Sequence, residues 1–195
     1  LFPYTALFRS MREDVERWEA KYQAADQDPE LRTDSLLSRH AVHLLAAGSA
    51  LDLASGSCHS AVFLAQQGYD VLAVDCSVTG LAIGRRLAQR EQTTIKTLTA
   101  DLDKFALDKE VYDLVACFRY LNRALFPRMK SALKPGGLLF FKTFNVHHLA
   151  SFPKFNPTYV LQPGELYQSF NDMVMIDLND GEDPEISQSW IVARR

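Results

Sequence analysis

The sequence predicts an α/β protein: a three-layer arrangement with a mostly parallel seven-stranded sheet that ends in a C-terminal antiparallel hairpin. Three observations carry this. Short apolar runs ending in an acid alternate with stretches of helical periodicity. The first run, Ala50-Leu51-Asp52-Leu53, breaks into Ala54-Ser55-Gly56-Ser57-Cys58 before the helical pattern 60–67, which is the strand, small-residue turn and helix of a βαβ unit. The last two runs, 173–178 and 186–193, are joined through Asn179-Asp180-Gly181-Glu182-Asp183-Pro184, too short for a crossover, so they pair antiparallel.

Each element has its own signal. Residues 11–22 form a charged helical pattern with Trp18 and Tyr22 four apart, hence on one face. Two large rings on a polar helix need something to cover, either the flank of the sheet or, as a lid, the ligand crevice. Asp26-Gln27-Asp28-Pro29 is a turn, Asp34 or Ser35 caps a helix through residues 38–45, and Gly48 stops it. His40 and His43 lie three apart without a third ligand nearby and read as ordinary helix histidines. After the first strand and helix, Gly68 is a stop and residues 71–75 are a second strand ending at Asp75. A Ser or Thr start opens a helix through Arg90, and residues 95–100 make a short strand before Asp101. Residues 112–118 are nearly continuously apolar, as a buried parallel strand requires. A helix over 122–133 stops at Lys134-Pro135-Gly136-Gly137. A fifth strand then covers 138–144, a loop runs from 145 to 163, and a short helix covers 165–170.

Composition narrows the function. With 195 residues, 47% apolar and 23% charged, the chain suits one globular domain. A net charge of −3 supplies no global field for phosphate backbones, so no nucleic-acid partner is expected. No apolar run approaches the roughly 18 residues of a membrane span, so no membrane partner is expected either. Cys58, Cys76 and Cys117 are scattered without CxxC spacing, which argues against a disulfide framework or a metal site and suits a reducing, cytoplasmic setting. Residues 1–10 resemble the translation of a sequencing-library adapter, with Met11 as a natural start. The expected organisation is a non-native stretch at 1–10, N-terminal helices at 11–48 and the ligand-binding core at 49–195.

The acids Asp52, Asp75 and Asp101 fall at three successive strand ends, the edge where ligands of open α/β sheets bind. Taken singly, an acid there is a helix cap or turn former; three in one register point to a ligand. A dinucleotide site needs G-x-G-x-x-G so that backbone amides reach a pyrophosphate. Here those positions are Ala54, Gly56 and His59. The first acid also sits badly with a diphosphate and well with an ammonium or sulfonium. Asp75, about 20 residues past the turn, sits at the ribose-binding distance common to both ligand classes.

At this point the motifs become specific. Asp52-Leu53-Ala54-Ser55-Gly56-Ser57-Cys58, Val74-Asp75, Ala100-Asp101-Leu102, Tyr112-Asp113-Leu114-Val115 and Leu133-Lys134-Pro135-Gly136-Gly137-Leu138-Leu139 resemble, in order, the motifs of class I S-adenosylmethionine-dependent methyltransferases. Trp18 with Tyr22, residues 118–123 and Lys142-Thr143-Phe144-Asn145 are similar to the small bacterial tellurite-resistance branch. The resemblance implies a Rossmann-like methyltransferase fold and S-adenosylmethionine as cofactor. It implies that Ala54 and Gly56 let the turn approach the methionyl part, with Asp52 near its positive charges. Asp75 would take the ribose hydroxyls, Asp101 and the Leu102 amide the adenine, Cys76 and Leu102 its walls, and Phe118 the edge of the methyl group. The acceptor is expected to be a small molecule, a thiol or a chalcogen-derived nucleophile among the candidates, approached by Trp18, Tyr22, Arg119, Arg123 and His147. A soft nucleophile needs no general base; for a hydroxyl or amine, His147 or His148 is the best-placed one. No catalytic residue is singled out, and the oligomeric state is left open.

Cys58 departs from the pattern, which usually has Gly there. The expectation is a tolerated substitution at negative φ; the alternative is crowding of the cofactor. Two other readings stay open: a non-catalytic cofactor-binding protein, for which Cys58 is the main support, and a nicotinamide-dependent oxidoreductase, disfavoured by Ala54 and His59.

Overall fold

The computed structural model describes residues 11–195; the expectation for residues 1–10 lies outside the described residues. Strands β1 (Gly48–Leu53), β2 (Tyr69–Asp75), β3 (Lys96–Thr99), β4 (Tyr112–Phe118), β5 (Leu133–Phe144), β6 (Val174–Asn179) and β7 (Gln188–Arg194) form one sheet. Their spatial order is β3-β2-β1-β4-β5-β7-β6. β1 to β5 run parallel, and β7 is antiparallel to both β5 and β6, the expected C-terminal hairpin. The helices are α1 (Met11–Gln23), α2 (Ser35–Arg39), α3 (His59–Gln66), α4 (Val78–Arg90), α5 (Phe126–Ala132), α6 (His148–Ser151) and α7 (Glu165–Phe170).

The continuous apolar runs are explained by burial on both faces. Along β4, Val115 and Cys117 join a core under α5 and α7, with Phe126, Met129, Leu166 and Phe170. The intervening Leu114 and Ala116 join a second core with Leu36, Leu37, Ala61, Leu64 and Leu81. Phe140 and Phe141 of β5 divide between the two cores in the same way. Side-chain alternation thus builds the three layers. Among the described residues no helix is long and apolar enough to cross a membrane.

Four segments differ from the sequence expectation, the first being the loop expected at 145–163, which contains α6 and a 3-10 turn at Pro157–Tyr159. The helix expected at 38–45 is instead α2, which begins at Ser35, where the Asp34 carboxylate accepts the Leu36 amide at 2.9 Å. Its anchor is the buried pair Leu36 and Leu37. Beyond His40 the chain tightens into a 3-10 turn, because Val42 is 84% exposed and has no core to face. The helix expected at 122–133 is split into a 3-10 turn, Arg123–Leu125, and α5, because Pro127 fits only a first helical turn. The fifth strand starts at Leu133 rather than Leu138. Leu133 pairs with Tyr112 and Leu138 with Leu114, so Lys134 to Gly137 form an irregularity that Gly136 enables at φ +81°.

Candidate active site

A cavity of about 910 Å³ opens over the carboxyl ends of the parallel strands. Strand order divides its floor: β1, β2 and β3 bring Asp52, Asp75 and Asp101 to one half, while β4 and β5 bring Phe118, Arg119, Lys142 and Phe144 to the other. Ala54, Cys76 and Leu102 also line it.

Asp52 lies one residue before the end of β1 and is buried. Burial pushes its carboxyl up to about 8; the Ala61 backbone amide works against that shift and the charge of Asp75 adds to it. Its Oδ2 has no hydrogen-bond partner among the described residues. Asp75 is engaged on both oxygens, Oδ1 accepting the Ser77 amide and Oδ2 the Gly56 amide, each at 2.8 Å. Burial raises its pKa while those amides oppose the rise. Each oxygen keeps a lone pair for a further donor. Asp101 Oδ1 takes the Asp103 amide at 3.0 Å, while its buried Oδ2 has no hydrogen bond among the described residues and faces the Lys104 ammonium at 3.9 Å. Two buried carboxylate oxygens without a hydrogen bond, those of Asp52 and Asp101, and the carboxylate of Asp75 with lone pairs to spare suit a ligand rich in donors and positive charge, as S-adenosylmethionine is.

The turn after β1 is left-handed at Ala54 (φ +54°), Gly56 (φ +53°) and Cys58 (φ +61°). The negative φ expected for Cys58 is therefore corrected: the residue takes the strained angle. The feared crowding does not follow. Cys58 is fully buried and absent from the cavity lining, its side chain directed at Gly84 of α4. Burial pushes its thiol up, so it is not a reactive thiolate.

Helix α1 covers the cavity, with Trp18, Lys21 and Tyr22 in the lining. Trp18 and Tyr22 stack at 6.1 Å between centroids. A Cβ at Gly56 would strike the Tyr22 ring, so the tyrosine sits directly on the turn. Sequence reasoning missed what docks the helix: Glu19 accepts Ser77 Oγ–H at 2.7 Å, the Thr79 amide at 3.2 Å and the Thr79 hydroxyl at the start of α4. These bonds hold the Glu19 carboxyl below its ordinary value.

The acceptor-side expectations divide. Arg119 lines the cavity at φ +58°, with its amide donating to the Lys142 carbonyl at 2.8 Å. Arg123 does not line it. Its guanidinium binds Glu165 at 2.9 Å and the carbonyls of Thr158 and Val160, a cross-link that secures the loop. His147 is also outside the lining, its Nε2 lying 2.9 Å from the Gly181 carbonyl. His148 is buried between Phe144 and Phe152 at centroid distances of 4.0 and 4.5 Å, and burial lowers its pKa. The sequence treated His59 only as a missing glycine, yet it lines the cavity. Its Nδ1 accepts the Arg32 amide at 3.1 Å, and burial, then the charges of Arg32 and Arg119, lowers its pKa. Arg32, Lys142, Phe144, Lys154, Phe155 and Tyr159 are further lining residues. Lys142 and Phe144 belong to the Lys142-Thr143-Phe144-Asn145 motif, whereas Arg32 and the loop residues carried no sequence signal.

Comparison with known proteins agrees with this geometry. A family described as Methyltransferase domain matches residues 50–137. Among curated proteins, the chain is 35% identical over 106 residues to Hemagglutinin 1 of Eikenella corrodens, covering 51% of this chain and 35% of that one. It is 32% identical over 108 residues to a ubiquinone biosynthesis O-methyltransferase of Acinetobacter baumannii, covering 52% of this chain and 46% of that one. The chain thus spans about a third to a half of the length of these relatives. TehB from Haemophilus influenzae superimposes with a TM-score of 0.69 at 17% identity, covering 93% of this chain and 66% of that one. Residues 50–137 thus match a methyltransferase-domain family, and the chain shares the fold of TehB.

Proposed function

We propose that this chain methylates a small-molecule acceptor that binds as an anion. One observation carries the reading: the cavity is acidic over β1 to β3, while Arg119 after β4 and Lys154 in the loop after β5 bring positive charge to the other half, where Lys142 is paired with Asp34. In this reading Asp52 faces the positive charges of the cofactor, Asp75 its ribose, and Asp101 with the Leu102 amide its adenine. Cys76 and Leu102 wall the adenine, Ala54 gives the turn its close approach, and Phe118 borders the reacting methyl group, whereas Gly56 lies outside the lining, beneath Tyr22, with its amide on Asp75. S-adenosylmethionine, when bound, supplies an electrophilic methyl carbon, to which the acceptor bonds as the carbon–sulfur bond breaks and its electron pair stays on sulfur.

The chain's own contribution is alignment and exclusion of water. Trp18 and Tyr22 on α1 close the cavity from above. Lys21, Arg32 and Arg119 line it, and burial, then the charges of Arg119 and Arg17, pushes the Lys21 ammonium down. An anion relieves that repulsion. His147 is tied to a carbonyl and His148 lies between rings, so neither proposed base is poised to act. Such a site suits a nucleophile that arrives deprotonated, such as a thiolate or reduced chalcogen, which needs no base.

The non-catalytic reading loses its main support because Cys58 faces Gly84 rather than the cavity. Titration calorimetry with S-adenosylmethionine, S-adenosylhomocysteine and NAD tests the proposal. Heat with both adenosyl ligands and none with NAD is expected; silence with both adenosyl ligands overturns it.

A further inference from the structure

We infer that the acceptor is an aromatic organic anion rather than a bare inorganic oxyanion. The inference rests on the methyl-transfer reading above and on the composition of the cavity half over β4 and β5. Two kinds of group meet there. Phe144, Phe155 and Tyr159 form one wall, and the first two pack edge to face at 5.6 Å between centroids. His148 stacks on Phe144 at 4.0 Å and meets Phe155 edge-on at 4.9 Å, so the wall is braced from behind. The second kind is uncompensated positive charge. Lys142 is neutralised by Asp34 at 3.0 and 3.2 Å. Arg119 and Lys154 have no ion pair among the described residues.

An inorganic oxyanion gains from the cations but loses hydration against the rings. A planar ring gains from offset or edge-on packing on the wall while its acidic substituent meets the cations. A shallow apolar recess lined by Phe152 and Pro153 continues outward from Lys154 and Phe155, with Phe152 57% exposed. It extends the aromatic wall toward solvent and gives room for a larger aromatic body.

The test uses protein saturated with S-adenosylhomocysteine and titrated with benzoate, acetate and selenite. Benzoate should bind at least about tenfold more tightly than either small anion. Phe155→Ala and Tyr159→Ala should each reduce that preference to about threefold or less, and Lys154→Met should weaken benzoate binding about fivefold. Affinity for S-adenosylhomocysteine serves as the control for an intact fold. Acetate or selenite binding as tightly as benzoate overturns the inference alone, as does intact cofactor binding with no benzoate binding. No S-adenosylhomocysteine binding overturns the underlying reading and the inference with it.

Discussion

Cys58 and Gly84 share one space: a side chain added at Gly84 would put its Cβ 2.5 Å from Cys58 Cβ and closer still to Sγ. The small residue on α4 is thus what admits a thiol at a turn position more usually glycine. Gly84→Ala should destabilise the protein by about 1–3 kcal/mol through overpacking. Cys58→Gly in the same chain should restore most of that, because the clash and the left-handed strain disappear together. Urea denaturation of the two single variants and the double variant checks the coupling.

Asp52 makes folding pH-dependent. Burial holds its carboxyl up to about 8, above the ~3.9 of an unfolded aspartate. A raised acid contributes stability that is complete below the unfolded value and is lost as pH rises through the folded one. Stability should therefore fall from pH 5 to 8, and Asp52→Asn should flatten that slope in chemical denaturation.

The same carboxyl couples binding to a proton. A ligand ammonium beside Asp52 favours its charged form. Binding of S-adenosylhomocysteine at pH 7 should then release close to one proton per molecule. Calorimetry in buffers of different ionisation enthalpy reads this directly, and Asp52→Asn should abolish the release.

Asp75 organises the turn as well as facing the cavity, since its two oxygens hold the amides of Gly56 and Ser77. Asp75→Ala should lower S-adenosylhomocysteine affinity by about ten- to a hundredfold, the value of losing charged hydrogen bonds in a buried site. Unchanged affinity in a calorimetric titration would show the ribose assignment to be wrong.

Glu19 latches α1 to the start of α4. Glu19→Gln should leave the melting temperature almost unchanged, because the core is elsewhere, and should speed amide hydrogen exchange across Met11–Gln23. Cofactor affinity should fall about threefold to tenfold, as expected for weakening hydrogen bonds worth about 1 kcal/mol each.

The sequence by itself determined the seven strands, their alternation with helices, the final hairpin and the three acids at strand ends, because two-residue and 3.6-residue periodicity and cap chemistry are local. It narrowed the caps to Asp34 or Ser35 and to a Ser or Thr, and the structure uses Asp34 and Ser77. Tertiary structure decided what meets across long separations. Arg123 and Arg119 look alike in the chain, yet one finds Glu165 and the other the cavity. Lys142 stands in the sequence within a family-like motif that names no partner for it, and it closes on Asp34 from 108 residues away. The direction of the Cys58 side chain likewise depended on a glycine in the next helix. Local propensity sets where a strand ends and which acid stands there. Which charges cancel and which remain for a ligand is set only when the sheet order brings distant segments together.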